Sequence, residues 1–151
     1  MFIQKIKTNR AFTLVEFLVV IAFMGIMTAV SLVSFYDSKN KKAVETEARK
    51  VAAVVREAQN YALTGKNASA GCGNEYTFTY GGSEYGIIGC VTESYSLIGG
   101  VSFNTNSSFS FSVPWGNASE AKTIAVEKGN DKYNICVYQS GKIVEKKDDC
   151  W

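Results

Sequence analysis

The chain has 151 residues, 46% of them hydrophobic, with 16 basic and 14 acidic side chains and a formal net charge of +2. That length suits one domain, or one small domain with an appendage. It contains no histidine, which excludes Ser-His-Asp and Cys-His nucleophiles and every His-ligated metal site. An enzyme would be left with carboxylate chemistry, and the acids are scattered without a candidate pair. No catalytic residue, cofactor or metal site is expected.

The first eleven residues, MFIQKIKTNRA, carry Lys5, Lys7 and Arg10 and no acid. From Ala11 to Val30 the one strongly polar side chain is Glu16, and with Leu32, Val33, Phe35 and Tyr36 the apolar run continues to residue 36. About 20 apolar helical residues cross a bilayer's hydrocarbon core. Basic residues before such a run hold that end in the cytoplasm, but Lys39, Lys41 and Lys42 follow its other end. The four cysteines, Cys72, Cys90, Cys136 and Cys150, decide the orientation. They are dispersed, without a CxxC pair, which suggests disulfides and an oxidising, extracytoplasmic compartment for the body that follows.

Three accounts of the apolar run compete. A cleaved secretory signal needs a shorter apolar core and an A-x-A site, and MTAVS (Met27–Ser31) is a poor one. A plain anchor leaves Glu16 unexplained unless it lies shallow enough to reach the headgroups, because acids inside spanning helices are costly and usually paired. The third account begins with removal of the basic stub before Phe12. The new α-amino group is then a cation, and Glu16 lies four residues away. In a bundle of identical helices, Glu16 of one subunit neutralises the terminus of a neighbour and so sets register between them.

AFTLVEFLVVIAFMGIMTAV, with its basic leader, resembles the N-terminal segment of type IV pilins and type II secretion pseudopilins. The resemblance implies a membrane prepilin peptidase that cuts between Ala11 and Phe12, N-methylation of Phe12, and a requirement for Glu16 in filament assembly. It also implies other pilin subunits and an inner-membrane assembly machinery as partners, with lipid as the surroundings before assembly. The implied location is the inner membrane of a bacterial-type cell with the C-terminal body extracytoplasmic, then a surface filament or periplasmic pseudopilus. Two positions depart from the family. Ala11 stands where Gly is usual before the cut. Val33 stands near the place of a common helix proline, and Pro114 is this chain's only proline. Gly25 is therefore the weak point at which a kink or partial melting of the helix would centre.

Beyond Lys39 the pattern becomes amphipathic. Val44, Ala48, Val51, Val55, Ala58 and Ala62 recur at helical spacing, with Glu45, Glu47, Arg49, Lys50, Arg56, Glu57 and Asn60 between them. Gly65 after Thr64 predicts the stop. One helix is expected from Phe12 to Thr64. Lys39, Lys41, Lys42, Arg49, Lys50 and Arg56 form either a DNA-binding stripe or a solvated face interleaved with acids. Loss of the leader leaves 13 basic residues against 14 acids, which favours the solvated face over DNA.

After Gly65 the chain is rich in Gly, Ser, Tyr, Phe and Val. YTFTY (Tyr76–Tyr80) and EYGIIG (Glu84–Gly89) read as a hairpin folded at Gly81–Gly82, which brings Cys72 close to opposite Cys90. SLIGGVSF, FSFSV, KTIAVE, YNICVY and IVEK bring the number of short strands to about seven. A Cys72–Cys90 pair leaves Cys136–Cys150, which would pin the tail KKDDCW; four cysteines allow three pairings in all. Asn67, Asn106 and Asn117 begin N-x-S triplets, read as chance. Tyr85, Tyr95, Trp115 and Trp151 are read as core or rim. ARKVAAVVREAQNYALTGK and ICVYQSGKIVEKKDDC are also similar, more loosely, to the H-type minor pseudopilins and related minor pilins.

The expected fold is α+β, a long N-terminal helix with an apolar transmembrane or filament-core half and an amphipathic half. The latter packs on a C-terminal antiparallel sheet or small sandwich. The expected boundaries are a leader at 1–11, the apolar helix at 12–36, its amphipathic continuation at 37–65 and the disulfide-containing β-rich domain at 66–151. The expected function is that of a structural filament subunit without enzymatic activity. The alternative is a membrane-anchored extracytoplasmic module that binds DNA or a surface and does not polymerise.

Overall fold

The computed structural model describes residues 13–68 and 75–151, with only the backbone of 30–34. The chain divides into two compact units, Met1–Ser38 and Lys39–Trp151. Helix α1 covers Leu14–Thr64 and is unbroken through Gly25. Eight strands follow: β1 Glu75–Gly81, β2 Glu84–Ile88, β3 Glu93–Ser96, β4 Ser102–Phe103, β5 Ser107–Ser112, β6 Lys122–Lys128, β7 Asp131–Val137 and β8 Ile143–Lys146. The fold is α+β, a long helix packed on antiparallel sheets.

In the second unit the helical stripe is the core. Val44, Ala48, Val51, Val55, Ala58 and Ala62 are all essentially inaccessible. They meet the inward side chains of two four-stranded sheets, ordered β3-β2-β1-β5 and β4-β6-β7-β8. In the first sheet β1 and β5 follow strict alternation. Tyr76, Phe78 and Tyr80 of β1 point to the helix, as do Phe109 and Phe111 of β5, while the intervening Thr and Ser residues face away. Phe78 lies opposite Phe109 with ring centroids 5.7 Å apart, a cross-strand aromatic pair of the kind that sets register.

The second sheet is buried on both faces at its centre, where Ile124, Ala125 and Val126 of β6 and Asn134 to Val137 of β7 are all enclosed. The C-terminal tail is what covers the outer face. Cys136 is joined to Cys150, and Asn134 Nδ2 donates to the Asp148 carbonyl at 3.0 Å. The expected Cys136–Cys150 pair is thus present and holds the tail across the sheet. Cys72 lies outside the described residues, so the expected Cys72–Cys90 pair does too; Cys90 is half-buried just past β2.

Three details differ from expectation. The hairpin turns at Gly82–Ser83 rather than Gly81–Gly82, pairing Gly81 with Glu84 and Thr77 with Ile88. Gly82 has φ 59°, the conformation that a two-residue hairpin asks of its first central residue. SLIGGVSF is not one strand, because Gly99 and Gly100 both take positive φ and break it, leaving Ser96 as the end of β3 and Ser102–Phe103 as β4. Instead Glu93–Ser96, with little apolar alternation, forms β3 against β2.

The helix stops where Gly65 predicts. Gly65 has φ 61°, and the Lys66 N–H donates back to the Tyr61 carbonyl at 3.2 Å, the glycine-dependent C-terminal cap.

Candidate functional site

The described part of the first unit is helical from Leu14 on, with the apolar side chains of Leu14 to Met27 bare. Leu14, Phe17, Ile21, Met24 and Met27 are all exposed, Leu14 at 79% and Met27 at 72% of full accessibility. Contiguous apolar surface on this scale marks a contact with protein or membrane. Among the described residues no helix is long and apolar enough to cross a membrane. The expected span at 12–36 includes Phe12 and the side chains of 30–34, which lie outside the description.

Glu16 sits at the third position of α1 and is exposed. Thr13 caps the helix. Its carbonyl accepts the Phe17 N–H at 3.2 Å, and its Oγ1 accepts the Glu16 N–H at 3.2 Å. T-x-x-E before an apolar run is the signature of a capping box, and an acid in the first turn also offsets the positive end of the helix dipole. This local role for Glu16 needs no partner molecule. The T-x-x-E spacing is readable in the sequence. Ala11 and Phe12, the expected cleavage and methylation sites, lie outside the described residues. At Gly25 an added Cβ would meet nothing.

In the second unit polar residues of α1 fasten the helix to both sheets. Arg56 pairs with Glu145 of β8 at 2.6 Å. Gln59 Nε2 donates to the carbonyls of Gly116 at 3.0 Å and Gly141 at 2.8 Å, binding together the β5–β6 loop and the β7–β8 turn. Gly141 has φ 82°, and a Cβ there would lie 2.4 Å from Gln59 Nε2, so only glycine permits this approach. Tyr61 is buried, and its hydroxyl donates to Glu57 Oε1 at 2.6 Å with Glu93 Oε1 of β3 3.0 Å away. Tyr95 donates to Glu93 Oε2 at 2.7 Å. The hydrogen bond to Glu57, then burial, then Glu93 push the Tyr61 phenol well above the usual tyrosine range. Tyr95 is pushed up to about 12, chiefly by its hydrogen bond to Glu93.

Glu47, expected on the solvated face, is instead 4% accessible. It is tolerated because Lys50 Nζ lies 2.7 Å from Oε1 and the Ile98 N–H donates to Oε2 at 3.4 Å. Burial first, and then the Glu47 charge, raises the Tyr85 phenol. Arg49 is paired with Glu45 at 2.6 Å. Arg49, Lys50 and Arg56 of the candidate DNA stripe are therefore each engaged with an acid. Tyr85 lies in the core, Tyr95 at its margin, and Trp115 and Trp151 on the surface. Among the described residues no group of three or more His, Cys, Asp or Glu side chains could hold a metal ion.

Comparison of the chain with models of protein families, with curated proteins and with solved structures finds no match.

Proposed function

We propose that this chain is a structural subunit of the pilin or minor pilin/pseudopilin type. It is made as a membrane-held precursor, cut before Phe12, and polymerised through the first part of α1 into a type IV pilus or related secretion filament. The observation that carries the reading is the bare apolar surface from Leu14 to Met27, interrupted by one acid at Glu16. A surface of that kind is stable in lipid or when packed against copies of itself, and in both settings an acid needs a cationic partner. The α-amino group created at Phe12 supplies that cation in an adjoining subunit, so Glu16 aligns subunits while the β-rich unit stays exposed.

The test is Glu16→Ala in the producing cell. The variant is expected to enter the membrane and be processed like the parent, yet to enter filaments poorly. Normal assembly would remove the mechanism.

A further inference from the structure

At the beginning of the second unit three lysines from separate parts of the chain line one small cavity. Lys41 comes from α1, Lys132 from β7, and Lys147 from the tail just past β8. Val44, Asp131 and Tyr133 complete a space of about 120 Å³. All three lysines are exposed. Lys147 is held in place: β8 ends at Lys146, the next carbonyl, Asp148, is bonded to Asn134, and Cys150 is tied to Cys136. Asp131 lies in the wall, and Asp149 is 3.4 Å from Lys132 Nζ. An anion in the cavity would be attracted by lysines carried on three separate elements.

We propose that this cavity holds the phosphate of an anionic phospholipid headgroup and seats the second unit on the bilayer surface before assembly. The source of the phosphate rests on the membrane reading above. Lys41 follows Tyr36, the end of the apolar run, by five residues, and five residues of chain reach at most about 18 Å. With the apolar run in lipid, Lys41 is held by the chain near the surface, where basic residues feel the negative potential of anionic headgroups. Lys39 and Lys42 stand on the same stretch of α1. Farther along, Arg49, Lys50 and Arg56 are matched by Glu45, Glu47 and Glu145. The cavity is a spot with three cations. It is not a track long enough to follow a nucleic-acid backbone.

The experiment uses the full chain in nonionic detergent micelles, alone, doped with phosphatidylglycerol, or doped with phosphatidylcholine. Acylation of individual lysines by an amine-reactive ester is followed by mass spectrometry, with Lys142 in the β7–β8 turn as internal reference. Phosphatidylglycerol is expected to slow labelling of Lys41, Lys132 and Lys147 relative to Lys142, by about fivefold per lysine–headgroup contact. Phosphatidylcholine should change little. Lys147→Gln should restore labelling of Lys41 and Lys132, and high salt should abolish the protection. Equal labelling in both lipids, by a chain that has entered the micelles, overturns the proposal and leaves the membrane reading standing. Protection by inorganic phosphate alone assigns the cavity to a soluble anion and overturns the lipid assignment; stronger protection by a duplex oligonucleotide overturns it in favour of nucleic acid. A chain that stays monomeric in solution without detergent overturns both readings together.

Discussion

Glu16 has two separable roles to test. As the third residue of α1 it completes the T-x-x-E pattern with Thr13, and glutamine serves in that position as glutamate does. As a charge it balances a neighbour's amino terminus, which glutamine cannot do. We predict that Glu16→Gln keeps the helicity of the parent in detergent, by circular dichroism, and still assembles as poorly as Glu16→Ala. Filaments of ordinary length from the glutamine variant would show that the cap, not the charge, is what matters. Tyr61 supports a second prediction. Hydrogen bonds to Glu57 and Glu93 push its phenol above the ordinary tyrosine range in the folded chain, and the bond to Glu93 does the same for Tyr95. A raised acid contributes stability that is complete below the unfolded value and is lost as pH rises toward the folded one. Stability should therefore fall from about pH 10 upward, and Tyr61→Phe should flatten that slope. The same variant should be less stable at neutral pH by about 1–3 kcal/mol, since Glu57 and Glu93 lose the hydroxyl between them. An alkaline limb identical to the parent's would contradict the assignment.

At the scale of elements, α1 was the most legible part of the chain. A cap at one end, a glycine at the other and apolar spacing of three and four are local signals, and each acts within a turn or two of where it is written. The strands were legible where alternation is strict, as in YTFTY and FSFSV, and illegible where it is not. β3 has almost no apolar face, and SLIGGVSF hides a double-glycine break that only positive φ reveals. The tail crossing the second sheet left no periodic mark; only the cysteine count hinted at it. We predict that Cys150→Ser costs about 3 kcal/mol, the loop-closure term for a loop of this size, seen as a melting point lower by about 10 °C. The variant should also open Asn134 to hydrogen exchange. An unchanged exchange rate there would mean that the tail stays in place without its disulfide. Gln59→Ala, which leaves the carbonyls of Gly116 and Gly141 without their donor, should cost about 2 kcal/mol in denaturant unfolding.

For the whole molecule, the filament reading makes one composite prediction. Mass spectrometry of sheared surface filaments, or of an isolated pseudopilus, should find this chain beginning at Phe12, methylated on its amino group, with Cys136 and Cys150 joined. A chain that retains Met1–Ala11 within filaments would overturn the processing step on which the Glu16 mechanism depends. The amino-acid sequence by itself determined the helix, its stripe, its stop and its apolar start, because these depend on residue type and on neighbours a few positions away. Only the tertiary structure decided that the strands divide into two sheets on one helix, that Glu47 is buried, and that Lys41, Lys132 and Lys147 meet. Such contacts join residues as far apart in sequence as the 89 positions between Arg56 and Glu145. No local pattern records a pairing over that distance, since it is settled by which faces the packed core leaves in contact.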